Sequence, residues 1–112
     1  MATIDEKYDE AIGLKEAGNL DAAVEKLEAL TGEAPDYALA HAGLSACYSK
    51  LNRHDEAIEH AQKVCDLEPD DPFSFMAMSL TCQKAGRLPE AEAALNQAME
   101  KQWATRNDPP AQ

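Results

Sequence analysis

Basic residues are scarce: ten Lys and Arg stand against 21 Asp and Glu in 112 residues, for a formal net charge of -11. Holding a phosphate backbone requires clustered cations, so this balance disfavours a nucleic-acid partner, and none is expected. Aromatic residues are also few, at 5% against 45% hydrophobic overall. That composition suits alanine- and leucine-rich helix packing in one domain rather than a β-sandwich. No apolar run approaches the roughly 20 residues that cross a bilayer. The opening Met-Ala-Thr-Ile-Asp-Glu-Lys lacks the basic and then apolar layout of a secretion signal. The expectation is a soluble, cytoplasmic protein with no membrane span.

Motifs that carry chemistry are missing too. Cys47, Cys65 and Cys82 form an odd set without a Cys-x-x-Cys pair, each on an apolar-periodic position where a thiol packs as a small hydrophobe. His41, His54 and His60 show no i, i+4 pair and no His-Glu-x-x-His motif. There is no glycine-rich phosphate loop and no Gly-x-Ser-x-Gly elbow. The sequence therefore points to no enzyme, no metal and no cofactor.

What is present is a period. Ala23, Ala57 and Ala91 lie 34 residues apart, and Pro35 and Pro69 repeat the interval. Gly18-Asn19-Leu20-Asp21-Ala22-Ala23, Asn52-Arg53-His54-Asp55-Glu56-Ala57 and Gly86-Arg87-Leu88-Pro89-Glu90-Ala91 occupy one place in three successive units, 4–37, 38–71 and 72–105. Self-similarity at this period predicts stacked helical hairpins. Leu44, Tyr48, Ala57, Val64 and Pro69 of the middle unit carry a resemblance to the tetratricopeptide repeat family. The resemblance implies an all-α fold, a right-handed α-solenoid of three helix-turn-helix hairpins over residues 1–105, with 106–112 as a short flexible tail. The outer units depart from the pattern. Lys7 and Glu10 stand where large apolar residues are usual, and Trp103 replaces the closing proline. Terminal repeats lack a neighbour on one side and are often atypical.

Thr3 with Glu6 reads as a capping box for the first helix, which Gly18-Asn19 ends; the second should run from about Asp21 to Gly32. Asp36 and Asp71 each precede a new apolar run as candidate caps, and Pro72 suits a first helical position. In the fourth helix Ala57, Ile58, Ala61, Val64 and Cys65 form one apolar stripe, with Glu56, Glu59 and Lys63 outside.

Charge is uneven: residues 1–37 hold ten acids and three bases (net -7), whereas 72–112 hold four of each. This reads as a solvated acidic face or as a dock for a basic partner.

The family resemblance implies that the first helices of the units line a concave groove that binds an extended peptide or a partner helix. Aligned on the repeats, the groove positions are Tyr8 and Ile12, then Leu39, Ala42, Gly43 and Ala46, then Phe73, Met76, Ala77 and Leu80. The surface is mostly apolar, suited to a protein or peptide partner that is itself apolar in part, with Phe73, Met76 and Leu80 as anchors. It can equally be used against neighbouring helices or covered by the tail. Chaperone-binding members carry a Lys, Asn and Arg clamp for a terminal carboxylate. The matching positions here are Tyr8, Ile12, Gly43, Phe73 and Ala77, so that role is rejected. Lys15, Lys50 and Lys84 recur along one rim, as helix-end caps or as a clamp for acidic residues. Beyond Trp103 the chain is too short, and at Asn107-Asp108-Pro109-Pro110 too broken, for a further covering helix. Leu88, Ala91, Leu95, Ala98 and Met99 of the last helix then include residues left as an apolar strip open to homo-oligomer formation. Trp103 is an interface anchor or a fold-back cap.

Overall fold

The computed structural model describes residues 2–107. Six helices follow in order: α1 (Ile4–Glu16), α2 (Leu20–Glu33), α3 (Ala38–Lys50), α4 (His54–Leu67), α5 (Pro72–Lys84) and α6 (Leu88–Asn107). No strand occurs among the described residues. The expected tail begins inside α6, and its residues 108–112 lie outside the described residues.

Each first helix ends in the same backbone device. Gly18, Asn52 and Gly86 take positive φ, at 86°, 61° and 76°. At each site two amides fold back: Gly18 N to Lys15 O and Asn19 N to Leu14 O, Asn52 N to Ser49 O and Arg53 N to Tyr48 O, Gly86 N to Gln83 O and Arg87 N to Cys82 O. This is the Schellman ending, and the residue with positive φ must be glycine or tolerate that region as asparagine does. The turn delivers α2, α4 and α6 back along their partners.

The N-termini divide the expectations. Thr3 caps α1 through Glu6 N to Thr3 Oγ1 at 3.1 Å, with Thr3 N donating to Glu6 Oε1 at 3.2 Å. Asp71 caps α5 through Phe73 N to Asp71 Oδ1 at 3.0 Å, with Pro72 in the first turn. Asp36 does not cap α3. The N-cap residue is Tyr37, which makes no side-chain cap bond. Asp36 sits one residue too early, since the repeat partner of Asp71 is Tyr37. The Tyr37 hydroxyl instead donates to Asp5 Oδ1 at 2.7 Å, and its ring meets Tyr8 edge-on at 5.8 Å.

The helices of each hairpin pack on each other, α2 packs on α3, and α4 on α5. The first helices also touch in sequence, α1 with α3 and α3 with α5, whereas among the described residues the backbones of α2, α4 and α6 stay apart from one another. The stack therefore has an inner face of first helices and an outer face of second helices. Ala23, Ala57 and Ala91 are buried at the hairpin crossings. Ser45 Oγ donates to Ala57 O and Ser79 Oγ to Ala91 O, both at 2.8 Å and both buried. These paired bonds repeat the period inside the core and satisfy hydroxyls that would otherwise be costly there. One cluster centres on Leu27, Leu30, Leu44 and Cys47, and a second on Phe75, Met78 and Cys82. In the first hairpin the two unusual charges pair across to α2: Lys7 Nζ to Glu33 Oε1 at 2.8 Å, and Lys26 Nζ to Glu10 Oε1 at 2.9 Å. Exposed pairs of this kind add little stability.

Candidate protein-binding groove

Helical spacing sets one stripe per first helix. Leu39, Ala42, Ala46 and Lys50 follow steps of three and four residues along α3, and Phe73, Ala77, Leu80 and Lys84 do so along α5. The apolar members stay in water: Leu39 is 52%, Phe73 71% and Leu80 56% exposed. Neighbouring positions face inward, so Phe75 is 8% exposed two residues from Phe73. Between α3, α4 and α5 lies a hollow of about 200 Å³ whose lining includes Ala42, Ala46, Ala77, Leu80 and Lys84. Four groove positions and one rim lysine are thus brought together. Ser49 also lines this hollow, and its buried Oγ has no hydrogen-bond partner.

Other expected groove residues face elsewhere. Gly43 is buried and offers no ligand surface. A Cβ there would lie 3.1 Å from Leu27 Cδ1 and 3.6 Å from Ile12 Cδ1, so the missing side chain lets α3 settle close against α2 and α1. Met76 is half-buried against the second core cluster. Tyr8 and Ile12 are half-buried too, Tyr8 being packed on the first cluster. Burial and the nearby Asp9 push the Tyr8 phenol up in pKa.

Lys15, Lys50 and Lys84 each stand in the last turn of a first helix. Lys15 and Lys50 lie near the Cys47 thiol, where they draw its pKa down against the larger upward effect of burial. All three cysteines are buried and free of disulfides. Burial pushes the Cys65 thiol up to about 11, and its Sγ donates to Ser74 O at 3.4 Å. These are packing thiols, not activated nucleophiles.

On α6 the face against α5 is alanine: Ala91, Ala94 and Ala98 are buried, so Ala91 and Ala98 fall on the packed face and not in the expected exposed strip. The flank beside it shows Leu88 at 64%, Leu95 at 40%, Met99 at 58% and Trp103 at 69% exposure. No further helix among the described residues covers this strip.

One constellation was hidden from sequence reasoning. His41 and His60 meet with Nδ1 to Nδ1 at 3.1 Å, and His41 Nε2 lies 2.8 Å from Pro35 O. A carbonyl only accepts, so His41 Nε2 carries a proton and donates to Pro35 O, and one of the two facing Nδ1 atoms donates to the other. Glu28 Oε1 lies 3.7 Å from His60 Nε2 and accepts from the Tyr48 hydroxyl at 2.6 Å. This network joins α2, α3 and α4. Burial is the chief cause that lowers the His60 pKa, and the Glu28 carboxylate opposes it only in part. The two histidines are 19 residues apart, so only the folding of α4 against α3 reveals them. Among the described residues no three His, Cys, Asp or Glu side chains converge to hold a metal ion, and no described helix is long and apolar enough to cross a membrane.

Solved structures with the same architecture include MamA, at TM-score 0.84 and 22% identity, covering 93% of this chain and 61% of that one. The type III secretion translocator chaperone SycD of Yersinia enterocolitica gives TM-score 0.81 and 23% identity, covering 96% and 79%. A chain of the CopN-Scc3 complex gives 0.80 and 17%, covering 96% and 61%. The chain thus spans about three-fifths of the MamA length it matches, and at these identities the likeness establishes the fold. No curated protein matches significantly. A tetratricopeptide repeat family model matches residues 8–72, more than half of the chain. The match takes in the turns at Gly18 and Asn52, and the third hairpin repeats their geometry at Gly86: the chain belongs to the tetratricopeptide repeat family.

Proposed function

We propose that this chain is a non-enzymatic protein-protein interaction module whose concave groove holds a partner peptide or helix. The observation that carries this reading is the outward set of Leu39, Phe73 and Leu80 beside the hollow between α3, α4 and α5. Large apolar side chains kept in water on a face with no structural duty are a reserve of binding energy, since each releases about 1.5–3 kcal/mol when covered. SycD is itself described as a chaperone and Scc3 as part of a complex with CopN, which agrees with partner binding. The module works without cofactor or metal and in the cytoplasm.

The test is selection from a random peptide library on the immobilised chain, beside Leu80→Asp and Phe73→Ser. Both side chains are largely exposed, so both variants keep the fold. Peptides retained by the parent and lost from both variants support the groove; peptides retained equally by all three refute it. Met76→Glu is a poor probe, because Met76 also packs against the core.

A second reading rests on a separate observation, the exposed α6 strip from Leu88 to Trp103. Self-association through it predicts a molar mass above the monomer in light scattering that rises with concentration and returns to the monomer in Leu95→Glu. A constant monomer mass across the range refutes it.

A further inference from the structure

We propose that the groove's partner is an apolar segment flanked by carboxylates, with its acidic flank seated over Lys15, Lys50 and Lys84. This rests on the groove reading above and names the chemistry of its ligand.

The first support is the state of the cations. In so acidic a chain a basic side chain readily finds a carboxylate, and four basic residues away from the rim do: Lys7 pairs with Glu33, Lys26 with Glu10, Arg53 with Glu56 and Arg87 with Asp55, while the exposed Lys63 of α4 forms no ion pair among the described residues. Among the described residues none of the three rim lysines is paired. Lys50 and Lys84 stand as unspent charge at one equivalent place, the last residue of α3 and of α5, and Lys15 lies one residue before the matching place on α1, which Glu16 holds.

The second support removes the plain structural use. A lysine at a helix C-terminus can bond the last carbonyls. Here backbone amides already take carbonyls of each ending: Ala17 N and Gly18 N at α1, Leu51 N, Asn52 N and Arg53 N at α3, Ala85 N, Gly86 N and Arg87 N at α5. The dipole interaction left to the lysines is worth a few tenths of a kcal/mol at an exposed site.

The third support is register. Lys50 and Lys84 continue the stripes of Leu39, Ala42 and Ala46 and of Phe73, Ala77 and Leu80, and Lys84 itself lines the hollow. A bound segment that covers the apolar stripe must bring its flank to the lysines. The far ends of the same helices carry Asp5, Asp36, Asp70 and Asp71, so the groove is positive at one edge and negative at the other. Such a field fixes the orientation of a charged ligand. A protein of net charge -11 repels acidic peptides in general, which makes acid preference a specific signature of this edge.

The test reads the composition of peptides selected from the random library, using the full chain and the triple variant Lys15→Gln, Lys50→Gln, Lys84→Gln. The expected result is an apolar cluster adjoining Asp or Glu on the parent, and the same apolar cluster without acid enrichment on the triple variant. A synthetic copy of the leading peptide should bind the triple variant about tenfold more weakly at low salt, a difference that shrinks as salt rises. Apolar peptides without acid enrichment, or acidic ones held equally by the triple variant, overturn this inference and leave the groove standing. Enrichment of basic peptides overturns it in favour of the acidic first hairpin. Peptides indifferent to Leu80→Asp, or no retained peptides, overturn the groove reading and this inference with it. Circular dichroism checks the fold of the triple variant. Lys15 is half-buried, so the double variant Lys50→Gln, Lys84→Gln serves if the triple does not fold.

Discussion

Gly13 and Gly43 both lie inside helices, yet they should respond to alanine in opposite directions. A glycine in a helix interior costs about 0.8–1.0 kcal/mol relative to alanine through backbone entropy. At Gly13 an added Cβ meets nothing within 4 Å, so Gly13→Ala should collect most of that gain, about 0.8 kcal/mol. At Gly43 the same gain applies, but the new methyl arrives 3.1 Å from Leu27 Cδ1 and 3.4 Å from Leu27 Cδ2. Leu27 is 0% exposed, so it cannot swing into solvent, and the neighbouring helices must shift instead. Inserting one methyl into a filled contact costs about 1–3 kcal/mol. Taking about 2 kcal/mol against the propensity gain leaves Gly43→Ala about 1 kcal/mol less stable than the parent, and nearly 2 kcal/mol below Gly13→Ala. Urea unfolding followed by circular dichroism reads both values, and thermal midpoints should split by several degrees in opposite directions. If Gly43→Ala stabilises as much as Gly13→Ala does, the close approach of α3 to α2 is not what glycine provides there.

Three further substitutions follow from the buried network and the hairpin crossings. His60 has a folded pKa below its ordinary 6.5, because burial outweighs Glu28, and the neighbouring groups are His41 and Tyr48 of α3 and Glu56 and Glu59 of α4. A depressed pKa means that protonation opposes the fold. Stability is therefore complete above about pH 6.5 and declines as pH falls through the folded value; urea midpoints across pH 7.5 to 5 should show this slope, and His60→Gln should flatten it. Tyr48→Phe removes the 2.6 Å bond to a Glu28 carboxylate that remains partly hydrated, so the loss should sit near the low end for such bonds, about 1 kcal/mol by chemical denaturation. Ala57→Leu should cost about 1–3 kcal/mol by overpacking the α3-α4 crossing, and an unchanged midpoint would deny that alanine is required there.

The repeat frame was legible because it is written in single residues with strong local meaning. Gly18, Asn52 and Gly86 mark the left-handed turns, the alanines mark the crossings, and Thr3 and Asp71 mark two helix starts. Asp36 misled because a capping residue and its neighbour look alike in sequence; counting back from Asp71 would have chosen Tyr37. The exposed faces of α3 and α5 were readable from helical spacing at Leu39, Ala42, Phe73, Ala77 and Leu80. Gly43 and Met76 were not, because they lie on the border between the groove stripe and the buried stripe, and only packing decides to which side they turn. The Ser45 and Ser79 bonds could have been found: serines 34 residues apart on otherwise apolar positions are a periodic signal. The histidine pair left none, since it depends on how far α4 slides along α3.

The two faces of the first helices divide the labour that lets such a chain bind. Phe75, Met78 and Cys82 hold α5 to its neighbours from one side, and the buried seryl bonds hold the crossings, so Phe73 and Leu80 are released from stabilising the fold. Their exposure gives up roughly 25 cal/mol for each Å² of apolar surface left in water. A chain that needed those side chains for its own stability could not present them, and any partner would then compete with the core. On the groove reading proposed above, a partner competes here with water alone. Substitutions on the stripe at Leu39, Phe73 and Leu80 should consequently separate binding from stability, whereas those at Phe75 or Met78 should lose both together.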